Sequence, residues 1–166
     1  FLGLSVRTPL LRSIIKPIYS LRVHCWISLQ ALIFAIIHGG SLLLDKYLNF
    51  SWGNILIPFY PQNPQYVDPD FLALGILSLY IMITVVASSY LRSSISYRMW
   101  RGIHFLNISL YVISIIHALY LGTDLKSAGT ARDIFIYANA FLIFIFAFSL
   151  LFRLGKTIIN NTSRAQ

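Results

Sequence analysis

The chain has 166 residues, of which 57% are hydrophobic and only 11% are Asp, Glu, Lys or Arg. A soluble domain carries roughly a quarter of its residues as these four charged types, so this chain has too few charges to cover a water-facing surface. The composition therefore excludes an ordinary soluble domain and predicts a membrane protein. The formal net charge is +8, but the basic residues stand at the ends of apolar runs, which argues against a nucleic-acid partner.

Four segments are long and apolar enough to cross a bilayer, for which a helix needs about 20 apolar residues. In chain order they are about 23–44, 71–91, 102–121 and 134–152, and none contains Lys, Arg, Asp or Glu. The sequence thus predicts an all-α transmembrane helical bundle of four full spans in a lipid bilayer. Residues 1–4 read as the end of a preceding span.

The connection 45–70 is rich in Asn, Pro and aromatic residues, and its prolines exclude a regular helix there. Trp52, Phe59 and Tyr60 suit a segment that lies at the level of the lipid headgroups. The basic residues are unevenly divided between the two sides, ten against three, and all five aspartates fall on the side with three. This bias predicts that both ends of the chain, with the basic loop 5–20, are cytoplasmic in a plasma or inner membrane.

All four histidines fall inside predicted spans, where ionisable residues are costly and usually mark a site. For a single histidine, a hydrogen bond between helices is the alternative explanation, but the four together indicate a site. His24 and His104 are predicted in the first turns of spans one and three, which run in the same direction. His38 follows His24 by 14 residues and His117 follows His104 by 13, so each interval is roughly 20 Å along a helix. The histidines are therefore predicted to form two pairs at two depths.

Two imidazoles at each depth indicate haem rather than a metal ion. Zinc or copper would require three or four converging ligands, and the only cysteine in the chain is Cys25, which reads as a small buried hydrophobe. Two imidazoles on opposite faces of a macrocycle satisfy six-coordinate haem iron. We therefore expect two b-type haems between spans one and three, with irons held by His24 and His104 and by His38 and His117.

The unequal spacing of the two pairs is a geometric problem. On an ideal helix, 14 residues rotate a side chain by about −40°, whereas 13 residues rotate it by about −140°. Span three is therefore overwound or bulged, or its two haems lie at different azimuths.

Other residues are candidates for contacts with the haem. Arg22, Arg98 and Arg101 are placed to bind the propionates of the inner haem, since Arg matches a carboxylate as a fork. Lys46, Lys126 and Arg132 are the corresponding cations of the outer side. Gly39–Gly40 and Gly102 would let a macrocycle approach the backbone, although close helix packing would also explain them.

Three stretches of the chain resemble the ferric-reductase-like transmembrane domain, the superfamily of NADPH oxidases, ferric reductases and the haem-binding membrane subunit of methionine sulfoxide reductase. The resemblance covers about residues 1–155 and leaves 156–166 as a cytoplasmic tail. The stretches are Leu21-Arg22-Val23-His24 through His38-Gly39-Gly40, Tyr97-Arg98-Met99-Trp100-Arg101-Gly102-Ile103-His104, and His117 through Asp124.

This resemblance implies an oxidoreductase membrane subunit. Electrons would enter at the haem of His24 and His104, pass to the haem of His38 and His117, and reduce an acceptor outside. No glycine-rich phosphate loop is present, so we expect the flavin or NAD(P)H domain to lie on another protein or another part of the polypeptide, unless the donor is a quinol.

Three alternatives remain open on sequence grounds. One is a quinol-oxidising cytochrome b, which also spaces histidines about 14 apart on two helices. Another is the haem-binding subunit of a periplasmic methionine sulfoxide reductase system. The third is a non-redox membrane protein whose histidines pack helices or relay protons.

Overall fold

The computed structural model describes residues 17–61 and 67–162, and every regular element in this part of the chain is helical. The long helices are α1 (Pro17–Ser41), α3 (Pro69–Tyr90), α4 (Tyr97–Leu121) and α6 (Thr130–Thr162); the short ones are α2 (Trp52–Leu56) and α5 (Thr123–Lys126). A 3-10 turn, Leu42–Leu44, extends α1. The all-α fold class is confirmed for these residues.

Four helical stretches are long and apolar enough to cross a membrane. They are Leu21–Leu44, Pro69–Tyr90, Tyr97–Leu121 and Thr130–Phe152. They correspond in number and position to the four spans predicted from hydropathy. The spans were thus predictable because each is a continuous apolar run that contains no charged residue.

Two long helices begin earlier than predicted because polar side chains cap them. The side chain of Ser96 accepts a hydrogen bond from the backbone N–H of Met99 at 3.3 Å, which starts α4 at Tyr97 rather than at 102. Asp68 accepts from the N–H of Asp70 at 2.9 Å and starts α3 at Pro69. With α1 beginning at Pro17, His24 and His104 each lie seven residues after the start of their helix. Their predicted placement in a first turn was wrong, but they share one height along their helices.

The connection between the first two spans contains a helix, which the prolines were expected to exclude. Helix α2 is five residues long and ends before Pro58. Its start is fixed locally, because the Oδ1 atom of Asn54 accepts from the backbone N–H of Ser51 at 2.8 Å. Proline disrupts a helix that continues through it, but α2 ends before Pro58, and the N–H of its C-cap Ile57 still bonds the carbonyl of Gly53.

Residues 23–126 form one compact unit, in which α3 and α4 pack against each other. At one end of this pair the rings of Phe71 and Tyr120 stack at 3.8 Å. Near the other end, Ser89 Oγ lies 3.5 Å from His104 Nε2. In the most apolar window of α3, 39% of the residues are buried, against none in the windows of α1 and α4. Helix α3 is therefore the central helix of this unit.

Helix α6 belongs to a second compact unit and is described by itself. It continues to Thr162, so the domain end predicted at 155 falls within a helix. Residues 17–20 of the predicted loop 5–20 are helical, as the first residues of α1. The preceding span predicted at 1–4 and the rest of that loop lie outside the described residues.

Candidate haem-binding site

A first cavity, called the His24–His104 cavity, lies between α1 and the pair of α3 and α4. It encloses about 660 Å³ of empty space, including its open side. His24 of α1 and His104 of α4 line it, both half-buried. The other lining residues are mostly apolar or small and include Cys25, Ser28, Val85, Val86, Ser89 and Leu110.

A second cavity, called the His38–His117 cavity, adjoins the first. It contains about 690 Å³ of empty space, including its open side, and is lined by His38 of α1 and His117 of α4. Met82 of α3 lines both cavities, which makes them neighbours along that helix. Ile55 of α2 also lines the second cavity, so the connection after α1 contributes to its wall.

The structure brings the four histidines together as two pairs, each with one member on α1 and one on α4. Between the levels α4 is an uninterrupted α-helix from Tyr97 to Leu121, without a bulge. The sequence left two geometries open for the 13-residue spacing: a distorted helix, or two different directions around the helix axis. The structure has the second, so His104 and His117 lie at different azimuths around α4. The lining residues of α4 follow this drift around the helix, at 104, 107, 110, 114 and 117.

The ring of His117 is held by the backbone of α3. Its Nδ1 lies 2.8 Å from the carbonyl oxygen of Phe71. Because a carbonyl oxygen only accepts hydrogen bonds, Nδ1 carries the hydrogen and donates it. With the hydrogen on Nδ1, the nitrogen left to bind a metal centre is Nε2.

The ring of His104 has different surroundings. Its Nδ1 is buried without a hydrogen-bond partner, and its Nε2 has only the contact at 3.5 Å with Ser89 Oγ. The indole of Trp100 packs against it, with the ring centres 4.2 Å apart. On Trp100 in turn lies the guanidinium of Arg92, 4.9 Å from the ring centre. The imidazole is thus placed by an aromatic and cationic stack.

Each cavity also contains a buried polar atom without a partner in the described part of the chain. In the first cavity this atom is Nδ1 of His104, and in the second it is Oγ of Ser78, a residue only 8% exposed. Hydroxyls within membrane helices usually bond the preceding turn, as Ser89 does to the carbonyl of Val85 at 3.0 Å. Buried polar groups are normally satisfied, so these two atoms are exceptions among the described residues.

The donor set fits haem. Among the described residues, no three or more His, Cys, Asp or Glu side chains stand together as a metal site. Each cavity instead offers two imidazoles within a largely apolar wall, and a porphyrin supplies the remaining ligands of a six-coordinate iron. Helices α1 and α4 would hold the iron, and α3 would face the macrocycle.

The predicted propionate residues do not line either cavity. Arg22, Arg98 and Arg101 are all exposed, and the guanidinium of Arg101 lies 5.9 Å from the centre of the Phe105 ring. On the other side, Lys46 is exposed, Lys126 ends α5, and Arg132 lies in the first turn of α6. Their role toward propionates stays a prediction.

Sequence reasoning missed the contribution of span two. It selected Gly39, Gly40 and Gly102, but no described atom lies within 4 Å of a Cβ built on any of them, so close helix packing does not explain these glycines. Of the two glycines that line the second cavity, Gly39 and Gly75, the one in close contact is Gly75 of α3, which faces His117. The available signal was a set of small residues in a span without histidine: Gly75, Ser78, Ser88 and Ser89.

These features define a multi-pass integral membrane protein with two histidine-paired cavities. Residues 2–115 match the family model described as a ferric reductase like transmembrane component. The match covers more than half of the chain, and the protein therefore belongs to the ferric reductase-like transmembrane family, as the sequence motifs predicted. His24, His38 and His104 lie within the match, and His117 lies two residues beyond it. Family membership points to membrane redox electron transfer as the class of activity.

No curated protein and no solved structure matches the chain.

Proposed function

We propose that this protein carries electrons across a bilayer with two bis-histidine b-type haems, one in each cavity. The observation that carries the proposal is that each cavity is lined by one histidine of α1 and one of α4. A haem with two axial imidazoles supplies a one-electron carrier and leaves no open position for binding oxygen or another ligand.

The residues of the cavities support this role by holding two imidazoles in a dry environment. Val85, Val86 and Leu110 in the first cavity, and Leu72 and Ile76 in the second, present hydrocarbon to the space between the histidines. An apolar wall excludes water from a site and tunes the reduction potential of a metal that binds there. The shared Met82 places the two sites side by side, as a relay between two depths requires.

The direction of transfer is the one that the resemblance to ferric reductases implies, and the distribution of charge assigns the two sides of the membrane. The side of the spans that carries ten of the 13 basic residues is assigned to the cytoplasm of a plasma or inner membrane by the positive-inside rule. Helix α1 starts on the cytoplasmic side and reaches His24 before His38. The His24–His104 cavity is therefore the one nearer the cytoplasm. The donor is then a cytoplasmic flavin or NAD(P)H reductase domain or protein, or a quinol, and the acceptor lies on the opposite side.

The first experiment counts haems per chain. The protein is purified in detergent after expression with abundant haem, and its b-type haem is quantified by the pyridine haemochrome assay. We expect two haems in the unchanged protein, one in His104→Ala, one in His38→Ala and none in the double variant. Cys25→Ala is the matched control, because Cys25 lines the same cavity as His24 but is not assigned as a ligand, and it should retain both.

A colourless protein, or histidine variants that retain two haems, would overturn the proposal. Transport is tested separately in vesicles that contain a ferric chelate and receive a membrane-impermeant reductant outside. We expect reduction of the trapped chelate by the unchanged protein and its loss in both single histidine variants. Equal reduction by all of them would mean that the electrons bypass the two sites.

A further inference from the structure

The contact between His117 and α3 involves two backbone features one helical turn apart. The carbonyl of Phe71 accepts the hydrogen bond from Nδ1 of His117 at 2.8 Å. Four residues later along α3 stands Gly75, whose N–H lies in the same helical turn as that carbonyl. Together they are called the His117 seat.

Gly75 leaves the seat open for the imidazole ring. A Cβ built on Gly75 would stand 2.7 Å from Nδ1 and 3.0 Å from Nε2 of His117, closer than side chains pack. In a helix the Cβ atom tilts toward the N-terminus, so a side chain at position 75 projects toward the carbonyl of residue 71. Any residue other than glycine would therefore compete with the imidazole for the place beside its acceptor.

The imidazole has little freedom to avoid such a Cβ. Tyr120 lies one turn after His117 on α4, and its ring stacks on Phe71 at 3.8 Å with the two planes 8° apart. This stack holds that end of α4 against the start of α3. The ring of His117 would have to turn, which would break the hydrogen bond of Nδ1 to the carbonyl.

We propose that the His117 seat is a positioning device that fixes the orientation and tautomer of this one histidine, so that Nε2 is the nitrogen presented to the iron. The inference rests on the proposed haem function. It assigns to Gly75 a role that neither the histidine pattern nor the propionate candidates include. A hydrogen bond from the second nitrogen of a ligating imidazole makes the imidazole a better ligand, and its loss typically lowers metal affinity by about 10–100-fold.

The test compares Gly75→Ala with Gly155→Ala. Both substitutions add one methyl group to a long helix, but no described atom lies within 4 Å of a Cβ at Gly155, a residue of α6 with no assigned role in binding. Haem is titrated into apoprotein, and the low-spin ferric signals of the two sites are followed by electron paramagnetic resonance. We expect Gly75→Ala to weaken haem binding at the His38–His117 site by about 10–100-fold and to shift its signal. The signal of the His24–His104 site should stay unchanged and serves as an internal measure of folding.

Repeating the substitution in a His117→Ala protein separates an effect on the His117 ring from an effect on helix α3. In His117→Ala the ring is absent, so adding Gly75→Ala should change nothing further, and the remaining haem should be retained. If Gly75→Ala alone misfolds but the double variant folds with one haem, the ring is what the new methyl group meets, which supports the seat.

Three results would overturn the inference: a Gly75→Ala protein indistinguishable from Gly155→Ala, an equal loss at both sites, or, where Gly75→Ala misfolds, a double variant that misfolds equally. Failure of the proposed function is distinguishable, because the unchanged protein would then bind no haem.

Discussion

The two cavities use the same pair of ligand types but support them differently. In the His38–His117 cavity, one imidazole is fixed by a direct hydrogen bond to the backbone of α3, and α2 contributes Ile55 to the wall. In the His24–His104 cavity, the corresponding imidazole lacks a partner for its Nδ1 and is packed against Trp100. The hydrogen bond in the His38–His117 cavity constrains the orientation of the His117 ring. The packing in the His24–His104 cavity leaves the His104 ring subject to the charge of Arg92. We therefore expect one site to respond mainly to geometry and the other mainly to charge.

Rescue by free imidazole should reveal the largest difference. His117→Ala leaves the Phe71 carbonyl and the open space at Gly75 ready to receive imidazole, whereas His104→Ala leaves no comparable acceptor. One hydrogen bond contributes about 0.5–1.5 kcal/mol net, so haem binding in His117→Ala should recover at about 2–10-fold lower imidazole. The measurement is Soret absorbance during an imidazole titration. If both variants needed the same imidazole concentration to recover haem binding, the proposed distinction between the two cavities would be wrong.

Substitution of Trp100 should affect the His24–His104 site alone. Its ring centre lies 4.2 Å from that of His104, and aromatic pairs contribute about 0.5–1.5 kcal/mol beyond burial. Trp100→Ala should weaken haem binding there by up to about tenfold, while Trp100→Phe should preserve most of it. Trp26→Ala is the control, since Trp26 is an exposed tryptophan of α1. A comparable effect at the other site would show that Trp100 supports the fold in general.

The charge of Arg92 should adjust the potential of the same site. A cation near a haem disfavours the more positive ferric state, so Arg92→Gln should lower the midpoint potential of the His24–His104 site. Because Arg92 is exposed and exposed charge pairs couple by about 0.2–1 kcal/mol, the reduction equilibrium should change by less than about fivefold. Arg92→Lys keeps the charge and should lie closer to the unchanged protein. Redox titrations at low and high salt check the assignment, because the effect should shrink as salt screens it.

Ser89→Ala should have the smallest effect. Its Oγ lies 3.5 Å from His104 Nε2 and already donates to the Val85 carbonyl at 3.0 Å, which leaves only a long, weak contact to lose. We expect haem affinity at the His24–His104 site to change less than about twofold. A larger loss in the haem titration would mean that the hydroxyl holds the ring after all, and would make the two cavities more alike.

The sequence was informative wherever a property depended on one helix alone. Long runs without charge revealed the four spans, and intervals of 14 and 13 residues gave two levels for the histidines. The errors were local. The caps at Asp68 and Ser96 start their helices earlier than hydropathy alone indicated, and the five residues of α2 fit between the loop prolines.

Contacts between helices could not be read from the sequence in the same way. Gly75 is an ordinary small residue of an apolar run until α4 brings the imidazole of His117 against it, 42 positions later. The same holds for the carbonyl of Phe71. Every residue has a backbone carbonyl, and the sequence does not show which one meets the imidazole. Neither Trp100 nor Arg92 was assigned a role at the site from the sequence, yet they stack toward His104.

The sequence by itself determined that this is an all-helical membrane protein with histidines at two depths, because hydropathy and helical rise are properties of a single segment. Only the tertiary structure decided which backbone and side-chain atoms surround each imidazole. The physical reason is that these contacts depend on the rotation of α3 and α4 about their axes and on their close packing. Neither is encoded in the spacing of residues along one helix.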